Sequence, residues 1–209
     1  MFRFAMIVFS LAMVPLATGP VSAETFGDAS VGFSADRVLV VNGQTYVGKI
    51  WHTPGAQRHE QALGAMKPVL VLHAGSAVGE IVLPQLHTVL ELTLPKELSL
   101  LTDPDVLRKT AVQETINGIV TTRYVVGGDT SGNRATGSVW LSDDGIPIKG
   151  DAKLEAPDGK TSTLRWELRH VMIGKQDPAL FEVPPGYTKL PPEAAGPLLG
   201  IHIARHQAP

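Results

Sequence analysis

The chain of 209 residues contains no cysteine, which excludes any disulfide and any lipid attachment at a processed N-terminal Cys. It has no basic cluster beyond Arg108-Lys109. With 18 Lys and Arg against 20 Asp and Glu, the formal net charge is −2, so nucleic acid is not an expected partner. Aromatic residues are sparse, at 6%. No internal repeat occurs, and no low-complexity segment outside the C-terminal tail. The longest apolar run, Phe4 to Leu16, is too short to span a bilayer.

Catalytic signatures are missing as well. Gly128-Asp129-Thr130-Ser131-Gly132 has the wrong order for a serine nucleophile loop, and no Gly-x-Ser-x-Gly elbow occurs. His202 and His206 stand four apart, a spacing that brings metal ligands together only on a helix. No helix signal supports them in the Pro-flanked terminus. His52 and His59 flank a turn in different registers and are expected at the surface. No pair of polar side chains has the spacing that chemistry needs, so no enzyme, cofactor or metal is expected.

What is present is organised for secretion and for sheet. Met1 to Ala23 combines Arg3, an apolar core, a Pro15/Gly19/Pro20 break and small residues at Val21-Ser22-Ala23. That is the pattern of a signal peptide (1–23) cleaved after Ala23, which predicts a periplasmic or exported protein. Residues 24–190 suit one domain, and 191–209 a flexible or docking tail. The 21 Gly and 16 Pro are spread along the chain, as many short strands joined by turns require.

The strands start from a hairpin. Tyr46 to Glu60 reads as a strand, a Thr53-Pro54-Gly55 turn and a second strand, with Ile50 opposite His59 and Trp51 diagonal to Arg58. Before it, Ser30 to Val41 is a strand ending in an Asn42-Gly43 turn, since both residues tolerate positive φ. Val69–His73, Ile81–Leu83 and Thr88–Leu94 follow, the last alternating Leu90, Leu92 and Leu94 against Val89, Glu91 and Thr93. Asp103-Pro104-Asp105 after Thr102 is a helix start, and Pro95 to Thr110 is expected to hold one short helix. Strands resume at Ala111–Ile116, Ile119–Val126, Gly137–Ser142 and Ile146–Glu155, with Gly127 to Thr136 as a loop. Thr161 to Ile173 alternates most strongly: Leu164, Trp166, Leu168 and Met172 inward with His170, Arg165, Glu167 and Arg169 outward.

These runs predict a mainly β (α+β) domain, a single curved antiparallel sheet of about 9–11 strands. One apolar face of that length must curl into a barrel or a half-barrel with a short helical lid. Its inward set, Leu90, Leu92, Leu94, Leu164, Trp166, Leu168 and Met172 with Tyr124 and Trp140 nearby, is either ordinary core or the wall of an apolar cavity. An uncovered face of this kind calls for a ligand, a partner protein or the chain's own tail, for which Leu198 to Ile203 is apolar enough.

Two motifs carry a resemblance. Gly48-Lys49-Ile50-Trp51 with Pro54, Arg58 and Glu60 resembles the Gly-x-hydrophobic…Pro-x-x-x-Arg-x-Glu pattern of the periplasmic lipoprotein-carrier (LolA-like) superfamily. Asp177 to Tyr187 is similar to the closing motif of its uncharacterised secreted branches. The resemblance implies a half-barrel of about eleven strands that binds acyl chains in its concave face and touches membranes only transiently. It also implies a lid tether at Arg58, for which a surface pair with Glu60 is the plain alternative. Family carriers open with a lid helix that this chain lacks, so the lid is confined to Pro95 to Thr110. Two functions follow: a carrier or sensor of a lipid acyl chain or other apolar ligand, or a module that docks on another envelope protein.

Overall fold

A computed structural model describes residues 28–63, 66–76, 78–93, 107–130 and 133–191. The signal segment, Leu94, the Pro95 to Val106 part of the expected lid, and the tail from Pro192 lie outside the described residues.

The chain forms one open, curved sheet of twelve strands. In chain order these are β1 (Phe33–Val41), β2 (Gln44–Thr53), β3 (Ala56–Gln61), β4 (Val69–His73), β5 (Val78–Leu83), β6 (Thr88–Thr93), β7 (Leu107–Ile116), β8 (Ile119–Thr130), β9 (Asn133–Ser142), β10 (Pro147–Glu155), β11 (Thr161–Ile173) and β12 (Thr188–Leu190). The spatial order is β12-β6-β5-β4-β3-β2-β1-β11-β10-β9-β8-β7. Two meanders therefore meet where β1 pairs with β11. All pairings are antiparallel except β12 on β6, which brings the count one above the upper expectation.

Local sequence explains the turns. Asn42-Gly43 and Asn117-Gly118 each take positive φ at both residues, 50° and 82° in the first, 51° and 82° in the second, the requirement of a two-residue hairpin that matches strand twist. Across Pro54-Gly55, Ile50 pairs with His59 and Trp51 directly with Arg58. The diagonal placement expected for that second pair is corrected, because a two-residue loop sets every pair beyond it directly opposite.

Two segments depart from their compositional signals. Gly127 to Thr136, polar and glycine-rich, contains the extended ends of β8 and β9 rather than a loop. Their ladder carries on from Val126↔Gly137 to Thr130↔Asn133. Leu107 to Thr110, expected to finish a helix, starts β7, where Leu107 pairs with Val126. In both cases pairing with a long neighbour overrides local preference.

Register assigns every strand residue to one of two faces. The inner face carries Phe33, Ala35, Arg37, Leu39 and Val41 of β1, opposite His52, Ile50, Gly48, Tyr46 and Gln44 of β2. It continues through Leu168, Trp166 and Leu164 of β11, then Gly150 and Ala152 of β10, Val139 of β9 and Tyr124 of β8. On the other side it runs through Gln57, His59 and Gln61 to Leu72, Leu70, Ile81 and Leu90. The outer face bears Asp36, Lys49, Lys149, Asp151, Lys153, Arg165 and Glu167 and is charged.

Three buried clusters belong to the inner face. Phe33, Ala35, Ile50, Ile148 and Leu168 form the central one, closed by Ala29 and Val31 from the segment before β1. Val126, Ala135, Val139, Ala152 and Leu154 form a second, against which Leu164 and Trp166 pack. Ile81, Leu83 and Leu90 form a third, with Leu70, Leu92 and Leu190 beside it. A fourth, Val69, Val71, Val82 and Val89, lies on the outer face of β4 to β6 and is covered by Val183 and Tyr187. The closing motif thus blankets an outer patch, with Phe181 buried in the 3₁₀ turn Pro178–Phe181.

Gly150 is needed where it stands, because a Cβ there would occupy the space of the Trp166 indole, whose Nε1 donates to Pro147 O at 3.0 Å. Gly150→Ala should displace that ring and cost about 1–3 kcal/mol. Urea denaturation together with a red shift in tryptophan emission checks it; unchanged stability and emission would contradict the packing.

Candidate functional site

Near the middle of the sheet, where β11, β1, β2 and β3 lie side by side, the inner face turns polar. There Arg37 projects from β1 between Leu168 of β11 and Gly48 of β2. Its Nη1 donates to His59 Nδ1 at 2.7 Å and its Nη2 to Gln61 Oε1 at 3.1 Å. Arginine has no lone pair to offer, so His59 accepts on Nδ1 and carries its proton on Nε2, which donates to Gln57 Oε1 at 3.1 Å. Gln61 Nε2 in turn donates to Val47 O at 2.9 Å. Gly48 leaves room for this chain, because a Cβ there would collide with Glu60 O and crowd Gln61 Oε1.

Every acceptor around Arg37 is neutral. Among the described residues no carboxylate forms an ion pair with it; Asp36 and Glu60 belong to the outer face, where they pair with Lys49 and Arg58. Arg37 Nε is buried with no hydrogen-bond partner, and the same holds for Tyr46 OH on the neighbouring strand. Arg37 as a whole is half-buried, yet desolvation pushes its pKa down to about 10. His59 is held well below the ordinary histidine range, first by desolvation, then by the charges of Arg37 and His52. It is neutral at physiological pH.

The expectation that His52 and His59 lie at the surface is corrected for His52, which is 1% exposed, and for His59, which belongs to the polar cluster just described. The inward alternation of β2 and β3 places them there. His52 stacks on Phe33 with ring centroids 5.0 Å apart. Its Nε2 lies 2.7 Å from Asp28 Oδ1 and its Nδ1 3.0 Å from Val31 O. Both nitrogens are committed to holding the segment before β1, and no nucleophile faces them.

The structure puts most of the expected wall residues on one face of the sheet but in separate clusters. Leu164, Trp166 and Tyr124 are half-buried on the inner face of β11 and β8; Leu168 and Leu90 are buried there, with Leu92 half-buried beside Leu90. Leu94 lies outside the described residues. Trp140 is on the other face: it pairs with Lys149 and Arg123, and their cationic groups stand 4.5 and 5.5 Å from its ring centroid. Alternation through Val139, Trp140 and Leu141 puts it there, and ring size has no say in the matter.

Met172 is 67% exposed on the outer face. A bulge explains the reversal: Asp36 pairs with Arg169 but Ser34 with Met172, and His170 takes φ of 49°, so the alternation of β11 flips after Arg169. His170 is thereby turned outward instead of inward, where its Nδ1 donates to Asp36 Oδ2 at 2.8 Å.

Arg58 makes the surface pair with Glu60, while most of the lid it was expected to tether lies outside the described residues. Its Nε and Nη2 donate to Glu60 Oε1 at 3.1 and 2.7 Å, and its Nη1 donates to Leu180 O at 3.1 Å. It ties the outer face of the sheet to the Asp177–Tyr187 segment. Among the described residues no group of three or more His, Asp or Glu is placed to hold a metal ion.

Sequence reasoning missed Arg37, Tyr46, Gln57 and Gln61. The signal was available: Arg37 is the lone charge at an inward position of β1, and β3 repeats polar residues inward at 57, 59 and 61.

No family model matches the chain, and no curated protein matches it. Among solved structures it is similar to MucB, with 18% identity over 78% of this chain and 61% of that one, TM-score 0.48. It is also similar to an uncharacterized conserved protein from Thermus thermophilus, with 13% identity over 78% and 91% of the two chains, TM-score 0.49. A LolA superfamily protein from Nitrosomonas europaea is a third, with 10% identity over 77% and 94%, TM-score 0.38. These likenesses concern the fold alone. The chain spans about three-fifths of the MucB chain, and the superfamily that its motifs resemble is represented among the three.

Neutral His59 makes stability depend on pH. Its folded pKa is depressed, so below about pH 6.5 the unfolded chain takes up a proton that the folded chain refuses. Stability present above that pH is then lost as pH falls, by up to about 1.4 kcal/mol per unit. Urea midpoints of the wild type and His59→Gln between pH 7.5 and 5.5 should diverge, the variant losing less on acidification. Parallel curves would contradict the buried neutral imidazole.

Proposed function

We propose that the chain is a non-enzymatic binding protein of the cell envelope, a carrier or sensor that holds a lipid acyl chain or similar apolar group against the inner face of its half-barrel. One observation carries this reading. The buried clusters of the inner face continue into half-buried Leu92, Tyr124, Leu164 and Trp166, while the segments laid across the sheet pack elsewhere: Asp28–Val31 on the central cluster and Val183 with Tyr187 on the outer face. Among the described residues no second layer covers these side chains, and an apolar ligand would supply one. The envelope location rests on the signal-like pattern of residues 1–23, and the neutral hydrogen-bond chain around His59 gives no nucleophile or general base a task.

A second reading is supported by the edge of the sheet. β7 is the strand at one edge of the sheet, and Val112 within it and Val120 on β8 are 45% and 54% exposed. An extended segment of another envelope protein could add to such an edge.

Native mass spectrometry of the protein expressed with its N-terminal segment, followed by organic extraction, separates the two. The ligand reading expects a discrete added mass that extracts as a lipid. A clean apo mass, unchanged after incubation with envelope lipids, contradicts it and favours the protein partner.

A further inference from the structure

The inner face is not uniformly apolar, and the polar island on β1 to β3 is cationic. Arg37 uses two of its five N–H donors, one on His59 and one on Gln61. Its Nε and the hydroxyl of Tyr46, on the adjoining strand and the same face, are both enclosed without partners. Buried polar groups are nearly always satisfied, and a buried cation is normally matched by a carboxylate. Here the acceptors that Arg37 touches are neutral, and among the described residues no carboxylate matches its charge.

We propose that Arg37 and Tyr46 form the head-group site for an anionic, single-chain amphiphile, whose carboxylate or phosphate takes the donors left over while its chain lies along the inner face toward Trp166 and Leu164. This rests on the ligand reading above and adds the charge and direction of the ligand. The direction follows from the neighbours. Toward β3 the face next to Arg37 is polar, with Gln57, His59 and Gln61 preceding Leu70 and Leu72. Toward β11 it is apolar at once: Leu168 pairs with Arg37, Trp166 with Leu39 and Leu164 with Val41. A head group on Arg37 therefore puts the first carbons of its chain against Trp166. The planar guanidinium presents paired N–H groups, the geometry that carboxylate and phosphate oxygens accept. Neutral His59 and Gln61 hold the guanidinium in place without neutralising it.

The test titrates the delipidated full chain with three probes of matched chain length: a fatty acid, its methyl ester and a lysophosphatidic acid. The acid or the lysophosphatidic acid should bind about ten- to hundred-fold tighter than the ester, the range of a charge-assisted hydrogen-bonded pair. Whichever anion binds tighter identifies the head group as carboxylate or phosphate. Arg37→Met should bring the ratio of acid to ester affinity close to one, and Tyr46→Phe should lower it in part. Arg37→Met leaves His59 Nδ1 and Gln61 Oε1 without their donor, so urea denaturation first confirms that the variant is folded. The comparison of acid with ester in the wild type holds without any variant. Equal binding of all three by the wild type overturns the head-group site and leaves the ligand reading standing. Binding of none overturns both.

Discussion

Everything in this molecule depends on period-two alternation in a single sheet. Among the described residues twelve strands form one sheet with no second sheet behind it, and such a sheet can bury only what curvature and short flanking segments cover. The chain meets this constraint in three ways. The sheet curves, so that side chains of the inner face pack on one another across strands. The segment before β1 is pinned under the central cluster by the Asp28–His52 pair. The Asp177–Tyr187 segment is held on the outer valines by Arg58. What these leave half-buried among the described residues is Tyr124, Leu164 and Trp166 beside the second cluster and Leu92 beside the third, and a ligand is proposed to lie there.

Arg37, the one charged residue at an inward position of β1, gives the surface a centre. Arg37 is surrounded by His59, Gln61 and Gln57 in a chain of hydrogen bonds that has one consistent assignment of protons, and that assignment keeps the imidazole neutral. The chain of bonds orients the guanidinium and leaves its charge intact. Gly48 is a condition of the arrangement, since any side chain there would close the space through which Gln61 reaches. The superfamily-like motif containing Gly48, Arg58 and Glu60 therefore supports two different things: Gly48 the inner polar island, and the Arg58–Glu60 pair the outer seam to the closing segment.

Much of the sheet was legible in the sequence because its signals are short-range. Asn-Gly turns and the alternation of β6, β10 and β11 depend on neighbours in the chain and place those strands within a residue or two. The misreadings came from effects that no local window contains. The bulge at His170 flips Met172 outward through a positive φ that a histidine rarely adopts. Trp140, expected near the wall, has the parity of Ser138 and Ser142 and stands between Lys149 and Arg123. The strands through Gly127 to Thr136 and from Leu107 exist because β7, β8 and β9 pair with one another over their full length. The polar island was visible as an inward arginine in β1, but its meaning needed β3, whose register relative to β1 only the fold supplies.

The claim that a ligand occupies the inner face is tested most directly by tryptophan quenching. The chain has three tryptophans, and they divide between the faces: Trp166 inner, Trp51 and Trp140 outer. Single-tryptophan variants, with the other two changed to Phe, would be titrated with a brominated fatty acid. Saturable quenching of Trp166 and none of Trp51 or Trp140 is the predicted result. Quenching of the outer tryptophans with Trp166 unaffected would contradict a ligand on the inner face.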